Sequence, residues 1–265
     1  MYILSFDFMQ RAFIAGVITA VLSSVIGVFI VLRRMSLVGD SLSHSALAGV
    51  AAGMLCGFYP FYGALIFSVL AALLIEYLRE AFEKYAEVAL AVVMCGGMGL
   101  AVVLISLGKS FNADLFSYLF GSLMAVSSED IRVISAVGLF IIASVIFIWR
   151  ELYSITFDEE AARISGVPVK AVNVFFTVLM ALSVALSVRV VGTLLVSALM
   201  VIPAAVSLQT ARSFRQTFTI SVAVALFSVI AGLLSSFYFD LAPGGTIVLI
   251  ASAILMMVLI FKRCR

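Results

Sequence analysis

The amino-acid sequence predicts an all-α polytopic membrane protein of about eight to nine transmembrane helices. Hydrophobic residues make up 65% of its 265 positions and charged ones 11%, with a mean hydropathy of +1.28. Soluble domains run at roughly 45–50% apolar and about 25% charged, so this chain is built for lipid. Apolar windows of roughly 17–25 residues recur along it, the length a helix needs to cross a bilayer. The largest polar interval, 150–170, is too short for a nucleotide-binding or catalytic fold. The whole chain, 1–265, reads as one transmembrane domain, and any energy source must sit on another polypeptide.

The windows fall at 8–32, 41–57, 60–79, 88–108, 131–149, 171–188, 190–208, 216–236 and 245–262. The first lacks a small-residue cleavage site after a basic start, so it is read as a retained helix. Between the fourth and fifth lies FNADLFSYLFGSLMAV (111–126), apolar but interrupted by Asn112, Asp114 and Gly121. An interfacial helix, a re-entrant segment and a further span all fit it. Basic residues collect in alternate loops: Arg33 and Arg34; Arg79 and Lys84; Arg150, Arg163 and Lys170; Arg212 and Arg215; Lys262, Arg263 and Arg265. The other side receives Arg11, Lys109, Arg132 and Arg189. Short basic loops stay cytoplasmic, so nine spans place the N-terminus outside and the C-terminus inside.

Charge excludes some functions. A net charge of +2 with dispersed Lys and Arg is no nucleic-acid surface, and no such partner is expected. Cys56, Cys95 and Cys264 are far apart and form neither a CxxC pair nor an even-numbered framework. They read as small apolar filler.

Ionisable groups inside spans cost about 2.5–3.5 kcal/mol at mid-membrane and usually mark a pathway. Asp40 and His44, the chain's single histidine, lie four residues apart on a helix expected over about 39–57. That spacing places them on one face with Cβ atoms roughly 5–6 Å apart. A carboxylate oxygen and a neutral imidazole nitrogen there can share one divalent cation, since first-row ions such as Zn²⁺ and Mn²⁺ accept both donors. Two ligands leave a shell that water, backbone oxygen or a second subunit must complete. The competing reading makes Asp40 the N-cap of the helix and bonds His44 to a nearby carbonyl. Gly49, Gly53 and Gly57 recur at every fourth position of the same helix, which suits close helix packing.

Arg33 and Arg34 read as orientation anchors, Glu76 and Arg79 as side chains that snorkel to the interface, and 79–87 as a solvated turn. In TFDEEAARISGVPV (156–169), Asp158, Glu159 and Glu160 acidify the first turn of a short helix, and Gly166 and Pro168 stop it. Such a capped helix is either a docking element or an ordinary amphipathic connector. In 188–208, Thr193 and Ser197 share a face, and Pro203 cannot bond back to Leu199, so a kink is expected. YFDLAPGG (238–245) has the turn chemistry of an outer loop with Asp240 solvated.

Four stretches, FMQRAFIAGVITAVLSSVIGVFIVLRRMSLVGDSLSHSALAGVAAG (8–53), FDEEAARISGVP (157–168), RVVGTLLVSALMVIPAA (189–205) and APGGTIVL (242–249), together resemble the permease subunits of ABC importers for zinc and manganese. The resemblance spans nearly the whole chain in order. It implies the ABC importer permease fold of the metal-chelate and vitamin B12 type, in a prokaryotic cytoplasmic membrane. It further implies a homodimer of permeases, two copies of a separate ABC ATPase, and an extracytoplasmic metal-binding protein. By similarity, Asp40 and His44 match the metal-coordination motif of the pathway. Residues 157–168 match the coupling helix seated on the ATPase, with Asp158, Glu159, Glu160, Ala161, Arg163 and Gly166 as its contact set. SLSHSALAGVAAG and FDEEAARISGVPV look more like the zinc-type branch than the manganese-type.

The expected function is import of a divalent cation, Zn²⁺ first and Mn²⁺ as the alternative, with ATP bound by the partner. No GxxxxGK[ST] phosphate loop and no HExxH occur, so the chain reads as a transporter subunit with no catalytic residues. An intramembrane hydrolase would need a fuller motif than the lone Gly39–Asp40. A secondary transporter without an ATPase is the remaining rival.

Overall fold

The computed structural model describes residues 6–82, 85–108, 112–122 and 126–263. Lys84, Lys109, Cys264 and Arg265, named above, lie outside these, as do residues 111 and 123–125 of the ambiguous stretch.

Among the described residues the chain is helical throughout, in the order α1 (Asp7–Leu32), α2 (Val38–Cys56), α3 (Pro60–Ala81), α4 (Ala86–Leu107), α5 (Asn112–Phe120), α6 (Ser128–Phe147), α7 (Trp149–Phe157), α8 (Glu159–Ile164), α9 (Val169–Val191), α10 (Val196–Thr210), α11 (Phe214–Phe239) and α12 (Pro243–Arg263). Seven of them, α1, α3, α4, α6, α9, α11 and α12, are long and apolar enough to cross a membrane. The other two expected spans are α2, whose serines, Asp40 and His44 dilute its hydropathy, and α10, only 15 residues long. Each of the nine windows therefore contains a helix, although 190–208 also takes in the end of α9 and the linker 192–195, and the ends are set by local chemistry. Ser127 and Asp130 form a reciprocal capping box that starts α6, and Pro60 occupies the first turn of α3.

The helices sort by burial. In α9, 78% of the most apolar window is covered by protein, and in α1 67%, against 22% in α4 and α12. The first two form the centre and the last two face outward. α1 packs on α11, α10, α9 and α6, while α2 is held between α3 and α4, and α3 leans on α9. Without water to expel, contact in lipid depends on close approach and on hydroxyl bonds between helices. Both occur. Ser23 and Ser187 share a 3.0 Å bond between α1 and α9, and Thr246 of α12 donates to the Gly232 carbonyl of α11 at 3.0 Å. A Cβ at Gly49 of α2 would strike the Gly63 carbonyl of α3, and one at Gly63 would strike the Gly49 carbonyl.

At one end of the bundle Phe29 of α1 is ringed by Trp149, Phe176, Phe214 and Phe218, with centroids 5.2–6.2 Å away. Edge-to-face contacts of this kind favour a fixed packing. Because Trp149 opens α7, the aromatic cluster fastens the α7–α8 connector to the central helices.

The described part of 111–126, left open above, is too short to cross a bilayer: α5 has nine residues, about 14 Å at 1.5 Å per residue, and it packs on α9, α2 and α12. Several expectations change. α9 runs to Val191, so Arg189 lies within its last turn and not in a loop, 8% exposed. Thr193 falls in the α9–α10 linker and Ser197 in α10, so they do not share a helix face. Gly57 is not part of a packing row; it caps α2 in the left-handed region at φ +75°, with open space around it.

Candidate functional site

α2 begins at Val38, after Leu37, which offers no side-chain cap. Asp40 thus sits inside the first turn, where the helix dipole favours a carboxylate, and it is not the N-cap. Ser41 Oγ donates to the Leu90 carbonyl of α4 at 3.0 Å, and a Cβ at Gly39 would stand 3.3 Å from Ser197 of α10. Ser45 lies against Gly97 of α4. These contacts fix the rotation of α2. At 100° per residue, Asp40 and His44 then fall on the sector between the side held by α10 and the side held by α4.

Both side chains are half-buried. The His44 Nδ1 atom is buried and has no hydrogen-bond partner, so the neighbouring-carbonyl alternative fails for that nitrogen. Leaving a buried nitrogen unsatisfied costs about 1–3 kcal/mol, which a bound cation or water would offset. Among the described residues no group of three or more His, Cys, Asp and Glu side chains converges. Asp40 and His44 thus stand on this sector of α2 as one carboxylate and one imidazole, a helical turn apart.

At the end of the bundle carrying the aromatic cluster, α8 is a single capped turn and a half. Asp158 accepts from the Ala161 N–H at 2.9 Å and Glu159 pairs with Arg163 at 3.6 Å. Ala162 is fully buried, while Ile164 is 88% exposed and Phe157 61%. Gly166 takes φ +86°, which lets the chain reverse into α9. Of the six residues expected on this element, Asp158 caps α8, Glu159, Glu160, Ala161 and Arg163 lie within it and Gly166 follows its C-cap, and all are exposed.

Beneath α8 lies a polar layer that reading by loops did not find. Arg33 donates to Asn173 Oδ1 at 2.6 Å and lies over the Phe176 ring at 5.7 Å. Glu76 accepts from Thr177 Oγ1 at 2.6 Å and from Arg79 at 3.0 Å. Arg33, Arg34, Arg79, Thr156 and Glu159 line a cavity of about 230 Å³. Burial, and then the nearby Arg79 guanidinium, lower the Arg33 pKa from its ordinary value; Glu159 and Glu76 oppose this. Arg34 holds φ +58° at the end of α1, a conformation usually left to glycine. These residues join α1, α3 and α9 directly under the exposed helix. The sequence offered one signal: three polar side chains, Arg33, Glu76 and Asn173, within one turn of the ends of apolar windows.

A helical membrane bundle with an acid–imidazole pair on a tightly held helix, and a capped helix projecting at one end, is the build of a transport permease. The chain belongs to the ABC 3 transport family, whose model matches residues 5–262. It is 31% identical over 260 residues to the high-affinity zinc uptake system membrane protein ZnuB of Haemophilus influenzae, covering 98% of this chain and 99% of that one. It is 32% identical to the manganese transport system membrane protein MntC of Halalkalibacterium halodurans, covering 98% and 89%. Among solved structures it resembles PsaBC from Streptococcus pneumoniae in complex with Fab, with a TM-score of 0.86, 31% identity, and coverage of 97% and 92%. The chain is thus a multi-pass ABC transporter permease of the prokaryotic cytoplasmic membrane.

Proposed function

We propose that this chain is the membrane subunit of an ATP-driven importer of a divalent transition-metal cation, Zn²⁺ in the first place. The observation that carries the reading is the unpaired His44 Nδ1 one helical turn from Asp40, on a helix whose rotation is fixed by α4 and α10. Two copies of the chain would bring two such pairs together and complete a shell of oxygen and nitrogen donors. Few and imperfect ligands suit transport, because an ion held too tightly would not leave.

In this reading an extracytoplasmic binding protein delivers the ion, and a separate ATPase seats α8. Its exposed Ile164 and Phe157 provide apolar contact, and Asp158 keeps the turn rigid. The loops at that end carry most of the basic residues, which supports a cytoplasmic placement with the N-terminus outside. Movement of α8 would pass through the Arg33–Asn173 and Glu76–Thr177 bonds into α1, α3 and α9.

Mn²⁺ is the second reading, favoured by relatives named for manganese at 32% identity, no lower than the 31% of the relative named for zinc. Uptake of competing Zn²⁺ and Mn²⁺ by the complex in vesicles tests both. Asp40→Ala and His44→Ala should abolish uptake while the complex still assembles. Undiminished uptake by both variants would reject the site.

A further inference from the structure

At the end of the bundle opposite α8, a buried polar network joins four elements that the transport reading does not use. Arg189 of α9 lies 3.3 Å from Asp130 of α6 as an ion pair, and Asp130 is fully buried. The Arg189 Nε atom is not aligned for a hydrogen bond; its Nη2 instead donates to the Tyr59 hydroxyl at 3.1 Å. Tyr59, at the start of α3, donates to Asp130 Oδ1 at 2.8 Å, and the Ser127 N–H donates to Oδ2 at 2.8 Å. The same guanidinium stacks over the Tyr118 ring of α5, 4.5 Å from its centre. Both charges are almost wholly desolvated, so neither is tolerable without the other.

This network fastens α5. The N–H groups of Thr193 and Leu194 donate to the carbonyls of Tyr118 and Leu119 at 2.8 and 3.3 Å, giving the last turn of α5 partners beyond its own helix. Gly192 has φ +87°, and a Cβ there would strike the Leu119 carbonyl, so only glycine permits the fit. From this anchorage α5 lays Leu115 and Leu119 against Leu47 and Ala48 of α2. Those residues lie three and four positions beyond His44 on the same helix. Asp40 and His44 are half-buried, whereas Leu47 and Ala48 are 7% and 1% exposed.

We infer that Arg189, clamped by Asp130 and Tyr59 and stacked on Tyr118, is a positioning residue that latches α5 across the metal path on the far side of the Asp40–His44 pair. The latch rests on the reading of that pair as the path. α5 separates the pair from the end of the bundle opposite α8, and the ion reaches it only when α5 lifts. Arg189 acts through α5 and touches no substrate.

The test is thiol accessibility in the complete complex in proteoliposomes. A Leu47→Cys variant is made in a Cys56→Ser, Cys95→Ser, Cys264→Ser background and exposed to a membrane-impermeant cationic methanethiosulfonate from the extracytoplasmic side. With the latch intact, labelling should be slow. Tyr118→Leu, which alters no charge, and Asp130→Asn should each raise its rate at least tenfold, while Tyr118→Phe, which keeps the stacking ring, should not. A second reporter, Phe58→Cys on the exposed turn after α2, should label equally in every background if the fold is intact. Unchanged Leu47→Cys labelling in both Tyr118→Leu and Asp130→Asn would overturn the latch. Loss of the path reading shows up separately, as metal uptake that survives Asp40→Ala and His44→Ala.

Discussion

Arg33 Nη2 donates a 2.6 Å hydrogen bond to Asn173 Oδ1, tying the end of α1 to the second turn of α9 across 140 residues of sequence. The guanidinium is half-buried and its pKa is lowered, chiefly by desolvation. Asn173→Leu should therefore destabilise the permease by about 1–3 kcal/mol, since a buried donor loses its acceptor. Adding Arg33→Met should recover most of that loss, because removing both partners removes the desolvation cost. Thermal unfolding in detergent measures both. A lowered base pKa means the folded state binds this proton less tightly than the unfolded one. The penalty is constant below the folded pKa and is relieved only at strongly alkaline pH, as pH rises through it. Arg33→Met should accordingly leave the pH slope of stability unchanged between about pH 6 and 8.

Asp158 caps α8 through the Ala161 N–H. Asp158→Ala should loosen this turn by about 1 kcal/mol, and Asp158→Asn, which keeps an acceptor oxygen, by much less. In the reconstituted complex the alanine variant should hydrolyse more ATP per ion moved, with the asparagine variant close to the parent. Ile164→Asp places a charge on the most exposed apolar side chain of the element and should reduce ATPase co-purification. Glu159→Gln removes only an exposed pair and should change neither.

The α2–α3 crossing has no room for a methyl group on either glycine. Gly49→Ala and Gly63→Ala should each cost about 1–3 kcal/mol by overpacking, read as a lower melting temperature. Gly96 and Gly99 of α4 have open space where a Cβ would stand. Alanine at those positions should be neutral or stabilising by up to about 1 kcal/mol, from helix propensity.

Donor chemistry at the acid–imidazole pair should set metal preference. His44→Asp replaces a nitrogen donor by an oxygen, and carboxylate shells suit Mn²⁺ better than they suit Zn²⁺. Zn²⁺ uptake should fall more steeply than Mn²⁺ uptake, measured as a competition in vesicles loaded with a chelator.

The positions of the long apolar helices and the Asp40–His44 spacing were legible because lipid imposes a length rule on every span and makes an ionisable group within one conspicuous. The ends of α9 and α10 were not. Arg189 read as a loop cation, since hydropathy counts a charge without knowing that Asp130, 59 residues away, neutralises it. α5 stayed ambiguous for a related reason: nine residues of mixed apolarity have no preferred depth until Thr193 and Leu194 bond to their carbonyls. The layer of Arg33, Glu76, Asn173 and Thr177 escaped notice because its members come from three helices.

His44 is the only imidazole in the chain. Isotope labelling of histidine alone would consequently give one ring resonance pair per permease, a built-in spectroscopic reporter. Its nitrogen shifts would follow ion arrival, tautomer and release during turnover, with no other residue contributing to the signal.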